Sequence, residues 1–435
     1  MRIVYLTAGA AGMYCGSCLH DNSLAKALIA QGHDALLVPT YTPIQTDESS
    51  VASDQLFYGG LNVYLEQVFP LVRYLPNWTD RFLSSPSLVR WIATRAMGTS
   101  AQNLGGLTVS MLRGRDGNQR KEVDRLVDWL AREIHPETII FSNLLIGGAI
   151  PEIRKRVPCP IVVILQGDDA FFDQLPEPYA SQSIALLRKL ARQVDLFLVH
   201  SRAYGERMQA RLELSPNQWE TLPLSIDPTD FVDFRRAGDE QAHDSSALSI
   251  GYLARLAPEK GLHVLADAFV ELAKRMPQAR LEIAGWLGKQ HHDYWQSVQT
   301  RLAAAGVGDR MRYWGSVDRA GKLEFLRTID VLSVPATHFE PKGLFVLEAL
   351  AAGVPVVLPD HAAFPELIQR LGGGYLVPPG DSQALASRLE SVLSDLPSAR
   401  RLGAEGRARV LGESTTAHEA RRLAEFLQRL ERSAK

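Results

Sequence analysis

Short apolar, often β-branched runs alternate along this chain with stretches whose apolar positions recur at helical spacing. Arg2–Thr7 is the first such run. Asn22–Gln31 follows, with Leu24, Ala25, Leu28 and Ile29 on one face and Gly32 as a natural stop. Ala35–Pro39 is the next strand, and Thr138–Ser142, Ile161–Gln166 and Leu196–His200 follow it. The second half opens the same way. Leu248–Leu253 reads as a strand, Leu262–Lys274 as a helix striped by Leu262, Leu265, Phe269 and Leu272, and Arg280–Ala284 as the next strand. This alternation predicts an α/β protein with parallel sheets covered on both faces. FRRAGDEQAHDSSA (234–247) is polar and poor in apolar residues, as a linker is. The expected layout is an N-terminal domain over 1–235, a linker over 236–247, a second domain over 248–412 and a helical tail over 413–435. Both domains would be doubly wound, with ligands in a cleft beyond the carboxyl ends of their strands.

The length of 435 residues fits two or three domains at roughly 150 residues each. A formal net charge of −2 gives no electrostatic case for nucleic acid. No run of about 18 apolar residues is free of charge, so a spanning helix is not expected. MRIVYLTAGAAG reads as a strand entering a glycine loop rather than as a signal peptide. Three cysteines fit thiols in a reducing compartment, and the expected location is the cytoplasm.

The stretch richest in chemistry is HFEPKGLFVLEALAAGVPVV (338–357). It runs from a loop carboxylate through Gly343 into a helix, stops at Gly353 and enters a strand. Gly343 stands at the helix start, where unpaired N–H groups and the helix dipole favour a phosphate. Glu348 lies among Leu347, Ala349, Leu350 and Ala351; spacing alone leaves open whether it is buried and bonded or on a solvated face. GYLARLAPEKG (251–261) sets Arg255 and Lys260 just after the first strand of that domain, where two cations can hold a diphosphate.

Residues 338–357 resemble the E-x7-E segment of glycosyltransferase family 4, with Glu340 and Glu348 at the right separation. GYLARLAPEKG is similar to the G-R-L-x-x-x-K-G segment of that family, and LAKALIAQGHD (24–34) is similar to an element of its N-terminal domain. The resemblance implies the GT-B fold: two doubly wound Rossmann-like domains facing a cleft. It implies a retaining, metal-independent transfer of a sugar from a nucleotide-sugar, with no cofactor beyond a UDP-, GDP- or ADP-sugar as co-substrate. Arg255, Lys260 and the N–H groups of Gly343 and Leu344 would hold the diphosphate. Glu348 would accept from the ribose hydroxyls, and Glu340 would contact the transferred sugar.

MYCGSCLHDN (13–22) carries a C-x-x-C, which by itself suits a redox pair, a metal clip or a ligand loop. Against the family its Cys15–Gly16 falls on a Gly-Gly loop near the donor phosphates, with Gly16 kept and Cys15 in place of the first glycine. Many family members have a histidine at the end of the strand matching Ile161–Gln166. Here it is Gln166, which can orient a sugar by hydrogen bonds but cannot titrate. Asp168-Asp169 after it read as loop, with an acceptor-facing position as the further reading, and Ser225 replaces the glycine of an N-G-I-D turn that keeps Asp227.

The stretch 70–97 mixes Tyr74, Trp78, Phe82 and Trp91 with Arg73, Arg81, Arg90 and Arg95. It reads as a helical insertion, with an acceptor wall or weak peripheral contact with the inner face of a membrane as the alternative. The implied partners are a nucleotide-sugar and a carbohydrate or lipid-linked acceptor. A phosphorylase of the same fold and a non-catalytic relative acting as a scaffold are the competing functions.

Overall fold

The computed structural model describes residues 1–9, 16–44, 49–53, 57, 101–235 and 248–434. The expectations for Cys15, for 70–97 and for the linker 236–247 lie outside the described residues. By contact the chain divides into two units, Met1–Pro223 with Ala417–Lys435, and Leu224–Thr416.

The first unit holds a sheet of β1 (Arg2–Thr7), β2 (Asp34–Pro39), β3 (Thr138–Phe141), β4 (Ile161–Leu165), β5 (Leu196–Val199) and β6 (Trp219–Thr221). Its order is β2-β1-β3-β4-β5-β6, and every pairing is parallel. β3, β4 and β5 are buried along their whole length, so each is apolar without alternation, as a strand covered on both faces must be. Helix α1 (Gly16–Ala30) follows β1, and α2 (Arg202–Leu212) follows β5. The sequence pattern places the start of α1 at Asn22, but the helix begins at Gly16. Its first turns bury His20, Asp21 and Asn22, polar residues that an apolar stripe does not reveal.

The second unit holds β7 (Leu248–Leu253), β8 (Ala279–Ala284), β9 (Met311–Tyr313), β10 (Val331–Leu332), β11 (Val356–Pro359) and β12 (Gly374–Val377). The order β12-β11-β10-β7-β8-β9 is again all parallel. Counted from β7, this is the doubly wound arrangement whose direction reverses between β7 and β10. Helices α3 (Leu262–Arg275), α4 (Arg319–Thr328) and α5 (Leu344–Ala351) belong to this unit. Leu265, Phe269 and Leu272 of α3 and Leu347, Leu350 and Ala351 of α5 enter one core with the strands.

Helix α6 (Thr416–Ala434) places Ala420, Leu423 and Leu427 in the core of the first unit, beside Ile3, Tyr5, Leu24 and Leu28. No described helix is long and apolar enough to cross a membrane.

Candidate active site

The carboxyl ends of β7 and β10 flank the switch point of the second sheet, which is where a doubly wound sheet offers a ligand site. Arg255 and Lys260 follow β7 within seven residues of its end, and Glu340 lies in the loop between β10 and α5. That loop and the β7 loop are tied together. Lys260 Nζ donates to Glu340 Oε2 at 2.5 Å, and both side chains are largely buried. Glu340 Oε1 accepts the backbone N–H of Gly343 at 3.3 Å. His338 Nε2 lies 4.0 Å from Glu340 Oε2, while its Nδ1 is 2.9 Å from the carbonyl oxygen of Glu259.

Burial opposes the ionisation of Glu340, but the charge and hydrogen bond of Lys260, helped by His338 and the Gly343 N–H, overcome it and hold the carboxyl at about 2. Burial pushes His338 the other way, and the Lys260 cation adds to the downward shift. The site therefore keeps an anionic Glu340 beside a neutral imidazole at neutral pH.

Gly343 adopts φ 72°, a left-handed conformation at the N-cap of α5 that a side chain would strain. Gly261 does the same after Lys260, and a Cβ there would lie 1.8 Å from the Pro335 carbonyl oxygen. The two lysine- and glutamate-bearing loops thus approach at backbone distance only because position 261 has no side chain. Leu344 opens α5 and is partly exposed.

Glu348, one turn into α5, is buried, and its Oε1 accepts from Lys322 Nζ of α4 at 2.8 Å. The structure thus decides between the two readings of this residue. Arg255 is half-exposed and pairs with Glu259 at 3.2 Å, a surface contact worth little and easily exchanged for a stronger anion. Arg255, Lys260, Glu340, Gly343 and Glu348 are therefore all in one unit, on the loops and helix beyond one edge of one sheet. Lys322 was not foreseen, since no motif marks it and only tertiary contact brings it to Glu348; His338 opens the quoted segment two residues before Glu340 but was given no role.

The remaining candidates, Gly16 and Gln166, are in the first unit. Gly16 is exposed at the start of α1. Gln166 follows β4 and is buried. Its Nε2 donates to Asp21 Oδ1 at 2.8 Å and to the Ser142 carbonyl at 3.2 Å. Asp21 also accepts from Tyr5 OH at 2.6 Å and from Thr7 Oγ1 at 2.7 Å. Burial works against the charge of Asp21; the nearby His20, with the hydrogen bonds of the Tyr5 and Thr7 hydroxyls, outweighs it and keeps its pKa below the usual carboxylate range. His20 Nε2 in turn lies 2.8 Å from Glu419 Oε1 on α6.

His20, His200 and Glu419 bring ligand-type atoms within 4.8 Å of one another. The His200 Nδ1 that comes within 4.0 Å of Glu419 is bonded to the Leu222 carbonyl at 2.9 Å, so the geometry is that of a hydrogen-bonded network. Asp168 and Asp169 are both buried and bonded within the first unit. Asp168 accepts the N–H groups of Leu144 and Gln166, and Asp169 binds Tyr204 OH and Arg207.

Two parallel six-stranded units of this topology define the fold as that of GT-B proteins. The family model described as Glycosyl transferases group 1 matches residues 234–409. A phosphatidyl-myo-inositol mannosyltransferase of Mycobacterium tuberculosis is 34% identical over 193 residues, which are 43% of this chain and 48% of that protein. A glycogen synthase of the same organism is 25% identical over 396 residues, 91% of this chain and 86% of that one. The chain spans about half or less of the mannosyltransferases it matches. Among solved structures, a sucrose-phosphate synthase of Thermosynechococcus elongatus superposes over the full length of both chains with a TM-score of 0.71 at 19% identity. The Anabaena HepE protein in complex with UDP does so over 99% of this chain with a TM-score of 0.67 at 18% identity. At these identities the structural likeness carries the fold.

Proposed function

We propose that this chain is a retaining, metal-independent glycosyltransferase of the family 4 type, using a UDP-, GDP- or ADP-sugar and a carbohydrate or lipid-linked acceptor. The observation that carries this reading is the Lys260–Glu340 pair at the switch point of the second sheet, at the threshold of a helix that bears Glu348. Glu340, held ionised, accepts hydroxyls of the transferred sugar and opposes the positive charge that grows on it as the glycosidic bond stretches. Arg255 exchanges Glu259 for the diphosphate, whose charge rises as it departs. The N-terminus of α5, with Gly343 and Leu344, adds its dipole, and Glu348 accepts from the ribose. Gln166 binds a substrate hydroxyl in the first unit.

The names of the matched relatives, a mannosyltransferase acting on phosphatidyl-myo-inositol and a glycogen synthase, frame the range of acceptors. The test is thermal stability in EDTA against UDP, GDP, ADP and TDP. A ligand at about 100 times its dissociation constant adds about 2.7 kcal/mol, a shift a melting curve resolves. One nucleotide raising the midpoint supports the reading and names the donor class; none doing so rejects it. The anomer of the transferred sugar, read by proton NMR, tests retention.

A further inference from the structure

We propose that Asp21 is a positioning residue that fixes the side-chain amide of Gln166 so that it can meet a substrate only as a hydrogen-bond acceptor. The inference rests on the substrate role given to Gln166 above and goes beyond it by naming what that residue can recognise.

Gln166 Nε2 donates to a carboxylate oxygen of Asp21 and to the backbone carbonyl of Ser142. Both are acceptors and neither can donate. The amide therefore has one allowed orientation, because turning it over would set its oxygen against two oxygens. Its two hydrogens are both spent. Any further partner of the side chain must be a donor that reaches Oε1, such as a sugar hydroxyl. A histidine at this position could present an N–H; this glutamine cannot.

Asp21 is in turn built for rigidity. It is fully buried, Tyr5 and Thr7 of β1 donate to its two oxygens, and His20 stands 3.8 Å from Oδ1. His20 continues to Glu419 at 2.8 Å. The amide of Gln166 is thereby referred to β1, α1, α6 and the residue that follows β3 at once. None of Asp21, His20 or Glu419 was marked by a motif.

The experiment is a double-mutant cycle of Asp21→Asn and Gln166→Ala. The readout is kcat and KM for release of UDP from UDP-glucose and of GDP from GDP-mannose. If Asp21 acts through Gln166, Asp21→Asn lowers kcat by about tenfold or more in the wild-type background and by less than about twofold in the Gln166→Ala background. Equal losses in both backgrounds overturn the proposal. Gln166→Glu is the second variant. A carboxylic acid can give one hydrogen where the amide gave two, and its anion gives none. Its kcat should fall with rising pH across a range where the wild type is flat; a flat profile also overturns the proposal. If neither sugar turns over in the wild type, these two are not its donors, the proposed function is judged by the nucleotide melting test, and the positioning by a readout that needs no turnover. The orientation is then read from the Gln166 side-chain amide in a 15N-labelled protein, identified by its loss in Gln166→Ala. A displaced resonance in Asp21→Asn supports the positioning, and an unmoved one overturns it.

Discussion

Glu340 and Lys260 stand eighty residues apart in the chain and meet at 2.5 Å in a place nearly closed to water. Neither charge is tolerable there without the other. Removing the cation leaves a buried carboxylate whose remaining close donor is the Gly343 N–H, and breaking a buried pair costs about 3–5 kcal/mol. Lys260→Met should lower stability to urea by that order. Lys260→Met combined with Glu340→Gln should recover most of it, because the second change removes the stranded charge. A double variant no more stable than the single one would show that the lysine acts through packing instead.

The same pair sets an acid limb. The folded pKa of Glu340, about 2, lies below its ordinary value. The stabilisation is therefore present above an unfolded pKa of about 4.3 and is lost as pH falls toward 2. It is worth on the order of 3 kcal/mol. Urea midpoints of the wild type should drop steeply between about pH 4 and 2, and Glu340→Gln should flatten that drop.

Asp168 predicts a slope of opposite sign. Burial pushes its carboxyl up to about 7, against the N–H groups of Leu144 and Gln166. A raised carboxyl contributes stability that is fully present below the unfolded pKa of about 3.9 and is lost as pH rises through about 7. The wild type should thus be less stable at about pH 8.5 than at pH 5, and Asp168→Asn should reduce the difference. An unchanged slope would assign it to another group.

The sheets, the order of elements and the grouping of Arg255, Lys260, Glu340 and Glu348 in one unit were legible because each leaves a local trace. Strands buried on both faces are continuous apolar runs, and the segment from Glu340 to Glu348 writes loop, helix start and helix on one short stretch. The partners of those residues leave none. Lys322 is one lysine of many on a helix, and its meeting with Glu348 depends on how α4 and α5 pack. The network of His20, Asp21, Gln166 and Glu419 was illegible for a different reason. It buries polar groups where a pattern-based reading looks for apolar ones, so the start of α1 was hidden by the residues that make it useful. Asp168 and Asp169 illustrate the converse: a conspicuous acidic pair that serves backbone N–H groups, Tyr204 and Arg207.

The two glutamates of the second unit should separate by function when each loses its charge. Glu340→Gln keeps the shape and one acceptor but removes the anion proposed to stand beside the reacting sugar, and it releases Lys260 from its partner. Transfer should fall by about 10² to 10³ in kcat, the range for losing one electrostatic stabiliser. Binding of the nucleoside diphosphate, followed by calorimetry, should hold or tighten, since the freed lysine can meet a phosphate. Glu348→Gln should do the reverse. It weakens an acceptor proposed for the ribose, and a hydrogen bond to a charged group is worth about 1.5–3 kcal/mol, or about 10- to 150-fold in affinity. Inorganic pyrophosphate has no ribose, so its binding should be untouched by Glu348→Gln. Equal losses of nucleotide and pyrophosphate binding would instead mean that Glu348 acts by holding Lys322, and that this lysine faces the phosphates.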